Sequence, residues 1–259
     1  MKNNRTFKNV TYEMLEVAEL KVGEYQRKID IRKTRAIAAE FDPRRLGVIQ
    51  VSRRNGNNYV FDGQHRVFVL KLLKIPMVMC EVHHGMSYED EARLFAEQDE
   101  GTTAVSVHTK FNALVEAGDE KSVELKNIVE NSGFTIVGNS HTDYGISALN
   151  TLIKIYNNSG PKRLKTVLHL IGKTWDGSPR STNSKLLNGV DCFYGHYKEM
   201  FNENTYIKQL RKTLPDEILR DGTADLSTRD TGIKYAKQIL LKYNYGLKEA
   251  NKLPYRFNG

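Results

Sequence analysis

Residues 46–73 read LGVIQVSRRNGNNYVFDGQHRVFVLKLL, and they restrict the fold more than any other part of the chain. The run 46–51 predicts a strand. Asn55-Gly56-Asn57-Asn58 predicts a hairpin turn, because a tight hairpin needs positive φ at both central positions and Asn-Gly supplies it at little steric cost. Tyr59 to Phe61 then returns antiparallel, and the apolar run 67–73 suits a buried helix. Between strand and helix stand Gly63, Gln64, His65 and Arg66, three hydrogen-bonding side chains behind a glycine.

The neighbouring segments extend the pattern. Residues 15–17 read as a strand entering a turn at Gly23, and 31–41 as a helix stopped by Asp42-Pro43. Residues 75–82 make a further strand with Pro76 at its entrance. Residues 87–98 make a helix whose Ser87 and Asp90 are spaced nearly as a capping box, and 107–117 another helix. Beyond this α+β unit of roughly 100 residues the pattern becomes helical. Amphipathic segments at 123–130, 146–156, 164–171, 185–201, 205–214 and 231–243 are separated by Asn/Ser/Gly-rich joints. The expected architecture is therefore α+β, with domains 1–120 and 121–259.

The strand-to-helix junction has two readings on its own residues. Gly63 lets the chain turn sharply, and the first amides of a helix point outward with the positive end of its dipole behind them, which suits an anion. Arg66 adds a planar charged fork suited to phosphate, His65 a donor, and Gln64 a donor or acceptor. Asp62 is placed either to cap the helix or to orient Arg66. The competing reading is a surface turn in which Asp62 caps and Arg66 is solvated.

Charge distribution bears on the partner. Residues 1–54 carry 13 Lys/Arg against 7 Asp/Glu, residues 81–132 carry 4 against 12, and residues 150–212 carry 11 against 4. Basic blocks flanking an acidic one fit a polyanion, although a solvated face would look similar. In the C-terminal half Lys162, Arg163 and Lys165, then Arg211 and Lys212, flank helices near Trp175, Tyr194, Tyr197 and Tyr206. That interleaving suits phosphates and stacked bases, or equally core aromatics beneath ordinary surface lysines. His83 and His84 point to opposite sides of a strand and make a poor zinc pair. The carboxylates of Glu89, Asp90, Glu91, Glu97, Asp99 and Glu100 are either a divalent-metal cluster or an acidic helix start. A 39% hydrophobic, 27% charged chain is a folded one. It has no run of eighteen apolar residues and no apolar core after the basic start, and its only cysteines are Cys80 and Cys192. A cytoplasmic, non-membrane protein is the expectation.

Four boxes in order resemble the ParB/sulfiredoxin superfamily over residues 13–110, in the branch marked by DGQHR. They are Glu24-Tyr25-Gln26-Arg27, the strand 46–51, Asp62-Gly63-Gln64-His65-Arg66, and Glu97-Gln98-Asp99-Glu100-Gly101-Thr102. The resemblance implies a nucleotide phosphate site taking an NTP, CTP or ATP. Gln26, Arg27, Asp62, Gly63, Gln64, His65 and Arg66 would line it, and Glu97 would hold Mg²⁺. In this reading Arg66, His65 and Glu97 are the candidate catalytic residues of an NTP hydrolase or nuclease. Gln64 stands where sulfiredoxin has its cysteine, and an amide is no nucleophile, so sulfiredoxin chemistry is not expected. Thr102 and Thr103 stand where ParB carries a basic residue. The expectation is a ParB-like nucleotide- and DNA-binding protein of the phage or plasmid type. Lys162, Arg163, Lys165, Arg211 and Lys212 would be its nucleic-acid contacts, and a homodimer is a candidate assembly. The alternatives are a Mg²⁺-dependent NTPase or nuclease, and a protein-binding module with a vestigial pocket.

Overall fold

The computed structural model describes residues 9–26, 28–97, 106–138 and 142–257, and of Lys33 only the backbone. The chain divides into two compact units, Met1–Ser122 and Val123–Gly259. The architecture is α+β, with the main sheet in the first unit and the second mostly helical.

In the first unit the elements run β1 (Val10–Glu16), β2 (Lys21–Val22), α1 (Ile31–Ala39), β3 (Ile49–Arg54), β4 (Asn57–Asp62), α2 (Gln64–Leu72), β5 (Met77–His84), α3 (Tyr88–Glu97) and α4 (Val107–Glu116). The sheet order is β1-β5-β3-β4-β2. The β3–β4 hairpin turns at Asn55 and Gly56, with φ of 52° and 72°, as the Asn-Gly signal predicts. From β4 the chain passes through α2 and returns as β5, parallel to β3, while β1 closes that edge antiparallel to β5. Between Gln50 and Val51 the β3–β4 register shifts, a bulge that bends the strand end immediately before Asp62.

Each sheet face has its own core. Ile49, Val51, Val60, Val78, Cys80 and Val82 meet Val67 and Leu70 of α2 on one side. On the other side Phe61 joins Tyr25, Ala92, Phe95 and Ala113, bringing in α3 and α4. That second layer leaves part of its sheet face bare: Tyr12 and Met14 of β1 and Met77 and Met79 of β5 are 65, 52, 37 and 43% exposed. Ser87 and Asp90 cap α3 reciprocally, with Asp90 N–H on Ser87 Oγ at 3.1 Å and Ser87 N–H on Asp90 Oδ2 at 3.2 Å.

The second unit begins within α5 (Glu120–Asn131). It continues through the short pair β6 (Thr135–Ile136) and β7 (Gly145–Ile146), then α6 (Leu149–Ser159), α7 (Pro161–Trp175), α8 (Ser184–Tyr197), α9 (Glu203–Leu210), α10 (Pro215–Ala224) and α11 (Thr231–Asn244). Tyr235 of α11 is wedged between Gly189 of α8 and Gly222 of α10. A methyl group at Gly189 would come within 2.5 Å of Tyr235 Cβ, so these helices approach as closely as they do because both positions lack side chains.

Several boundaries differ from those predicted. The first strand lies at 10–16, and the helix after the glycine starts at Gln64 and not at Val67, because Gly63 itself is the N-cap. The segment 205–214 holds α9 only to Leu210, and α10 was not anticipated although Pro215 begins it and Asp216 and Glu217 fill its first turn. The β6–β7 bridge, two residues on each strand, is too short to show periodicity.

Candidate functional site

The junction after β4 is built around one backbone conformation. Gly63 has φ 96° and ψ 15°, in the left-handed region, and its carbonyl accepts from Val67 N–H at 2.9 Å to open α2. A Cβ here would be strained and would lie 2.7 Å from Ile49 Cδ1. It would also lie 3.1 and 3.2 Å from Nη2 and Nε of Arg66, so that edge of the guanidinium covers the space a side chain would fill.

Arg66 is neither solvated nor turned wholly outward. Its Nη1 donates to the carbonyls of Leu46 at 3.0 Å and Val48 at 3.1 Å, and its Nη2 donates to Asp62 Oδ2 at 2.7 Å. Three of its five N–H groups are engaged in this way. Gly47, at φ 65°, makes room, since a Cβ there would sit 3.0 Å from Nη1. Of the two roles open to Asp62, the structure shows it orienting Arg66. Gln64 and His65 lie half-buried in the first turn of α2, beside Arg66.

The other predicted site residues are placed less favourably. The Gln26 side-chain amide donates to the Val60 carbonyl and so braces β4. Arg27 lies outside the described residues, as do 98–105 and with them most of the acidic box after Glu97. Glu97 closes α3 with an exposed side chain. Among the described residues no three His, Cys, Asp or Glu side chains group as a metal site. A Mg²⁺ ion is content with one or two carboxylates when phosphates supply the rest, but among the described residues Glu97 belongs to no cluster that would hold one. His83 Nε2 lies 2.8 Å from Glu81 Oε1 and His84 Nε2 lies 2.9 Å from Thr11 Oγ1, so the two histidines have separate partners.

One polar network was not foreseen. Glu91, fully buried, receives Arg54 Nε at 2.8 Å and Tyr25 O–H at 3.3 Å, and the Arg54 guanidinium lies 3.8 Å over the Tyr59 ring. Burial, reinforced by the Glu91 carboxylate, pushes the Tyr25 phenol well above its usual range. The network fastens the Tyr25-Gln26 segment to the sheet and to α3. In the sequence Glu91 stands as one acid of a cluster suited to a divalent metal or to a helix start, since no local signal marks a carboxylate whose partner lies 37 residues earlier.

In the second unit the basic residues divide. Lys162 and Lys165 are exposed. Arg163 turns inward, donating from Nη1 to Asp191 O at 3.0 Å, with its carboxylate at 3.5 Å and the Tyr194 ring 4.9 Å below the guanidinium. Burial raises the pKa of Asp191 and Arg163 opposes that shift. Arg211 donates from Nε and Nη2 to Lys173 O at 3.0 and 2.7 Å, and Lys212 reaches Gln209. Tyr197, Tyr206 and Trp175 are core residues, so of the two readings of the interleaved aromatics the core reading describes these three.

A shallow depression of about 610 Å³ lies at the other end of α2, lined by Glu16, Val17, Lys71, Lys74, Ile75 and Met77 among others. It does not coincide with the Gly63 turn. Lys71 Nζ donates there to Leu20 O at 3.0 Å, closing a loop, and the lining is mainly aliphatic, so the chemistry-bearing side chains single out the turn.

No curated protein and no solved structure matches the chain. Residues 21–257, which take in nearly all of both units, match DUF6551, a family of unknown function, and the chain belongs to that family.

Proposed function

We propose that the protein is a ParB-like nucleotide- and DNA-binding protein in which the β4–Gly63–α2 turn receives a phosphate group of an NTP. The observation that carries this reading is the clamped turn. A left-handed glycine starts α2, and Arg66 ties it to the 46–48 loop through two main-chain carbonyls and to β4 through Asp62. A phosphate site of this kind needs backbone amides held in place before the ligand arrives, and a turn pinned on both sides meets that need. Arg66 acts first as a positioning residue. Gln64 and His65 supply the polar side chains of the same turn, and Arg45, exposed, places further positive charge just ahead of the clamped loop, whereas Arg44 is paired with Asp42 at 2.9 Å.

The test is a thermal-shift panel of ATP, CTP, GTP and UTP with Mg²⁺, on the native protein and on a Gln64→Ala/His65→Ala variant that keeps the clamp. Ligand at a hundredfold excess over its dissociation constant stabilises by about 2.7 kcal/mol, which shows as a rise of several degrees. One nucleotide is expected to raise the melting temperature of the native protein, and the variant is expected to lose most of that rise. No rise with any of the four would end the reading.

A further inference from the structure

Helix α7 opens on cations, where helix electrostatics disfavours them. Its first turn contains Lys162 and Arg163, with Lys165 just after it and no acidic residue, although the N-terminal end of a helix is the positive end of its dipole and cations there are destabilising. Arg163 is compensated by Asp191. Lys162 and Lys165 are exposed, and among the described residues neither forms an ion pair that offsets the cost. A local rule broken without a structural return marks a residue kept for another purpose.

Their positions form a pattern. At 100° per residue, Lys162, Lys165, His169 and Lys173 fall within an arc of about 80°, on one stripe about 16 Å long. Lys162, Lys165, His169 and Lys173 are all exposed. Helix α9 lies along the same edge, because Glu203 at its start meets His169 Nε2 at 2.8 Å and Arg211 at its end holds Lys173 O. Arg211 and Lys212 thus continue the stripe. Glu203 is an acid on this seam, and it is hydrogen-bonded to His169.

We infer that the α7–α9 seam is a docking surface for the sugar-phosphate backbone of a nucleic-acid duplex. Duplex DNA carries one phosphate per 3.4 Å of helix axis on each strand, so a stripe of about 16 Å covers the axial rise of roughly five, and those on the facing side meet its cations. Trp175, Tyr197 and Tyr206 are buried and Tyr194 is covered by Arg163, so none of these four offers a face to unpaired bases, and Tyr245, exposed beyond the end of α9 where its carbonyl accepts from Gln209, is a single ring and no platform for successive bases. The surface therefore fits a double-stranded backbone better than a single strand. This inference rests on the DNA half of the proposed function and not on its nucleotide half.

The experiment is fluorescence anisotropy of a labelled 20-base-pair DNA duplex across a series of KCl concentrations, without nucleotide. The full chain is compared with Lys162→Ala/Lys165→Ala/Lys173→Ala and with a control of equal charge change, Lys234→Ala/Lys248→Ala/Lys252→Ala. Surface lysines are tolerant sites, and a melting curve of each variant checks folding. For the native chain the logarithm of affinity is expected to fall against the logarithm of salt with a slope of about −4. The stripe variant should lose between two and three of that slope and at least 30-fold in affinity at 0.1 M salt, while the control changes less than threefold. Duplex RNA run alongside identifies the source of the backbone, since the ligand is whichever duplex loses affinity in the stripe variant. Equal loss in both variants, tighter binding of single strands, or binding to anionic lipid vesicles but to neither duplex would overturn the inference. The thermal-shift panel reads the Gly63 turn independently, so either result can fail alone.

Discussion

At the scale of single residues the decisive contact is Arg66 with the carbonyls of Leu46 and Val48. Removing the side chain strands two carbonyls and the Asp62 carboxylate in a partly exposed setting. Arg66→Ala is therefore expected to lower unfolding stability by about 2 kcal/mol, read from urea midpoints. Arg66→Lys should recover less than half of this, because one ammonium cannot span three acceptors fixed for a planar fork. A change below about 0.5 kcal/mol in the alanine variant would refute the clamp. The turn itself was legible in the chain: Asp62-Gly63 after a strand, with polar residues opening a helix. The roles within it were not. An arginine beside a glycine gives no sign of whether it faces a ligand or a loop twenty residues earlier, and here it is engaged with main chain that carries no signal of its own. Arg163 repeats the lesson, since its partner lies 28 residues away on α8.

At the scale of elements the best-read pieces are those with punctuation. Asn55-Gly56 located the hairpin, and Ser87 with Asp90 located the start of α3. Where periodicity stood alone, boundaries drifted by up to four residues, and α10 was missed because a ten-residue helix with Ile218 and Leu219 as its buried aliphatic side chains shows little periodicity. Capping also predicts energetics. Asp230 accepts from Ile233 N–H at 2.8 Å to open α11, the helix that packs most extensively on α8. Asp230→Ala should cost about 1 kcal/mol in chemical denaturation, and Asp230→Asn, which keeps the acceptor, well under half of that. Equal losses in the two variants would mean that the charge and not the cap is what matters.

At the scale of the whole molecule each unit holds one cysteine, and both are set against ionisation. Burial, helped by Glu13, pushes the Cys80 thiol up to about 11. Burial, helped by Asp230 and Asp191, pushes Cys192 up to about 12. A thiol in the unfolded chain ionises near 8.5, so the folded state holds more protons above that pH. Stability is therefore complete below about pH 8.5 and falls as pH rises through the two folded values, by up to about 1.4 kcal/mol per pH unit for each thiol. Denaturation between pH 8 and pH 11 should show this decline, and Cys80→Ala should flatten it by roughly half. An unchanged slope would mean that the decline has another origin. The bare part of the sheet face has a consequence of a different kind. Met14, Met77 and Met79 offer three thioethers to solvent side by side on paired strands, so mild peroxide reaches them without any unfolding. Conversion to sulfoxides would turn that greasy strip into a wettable one while leaving both cores of the first unit intact.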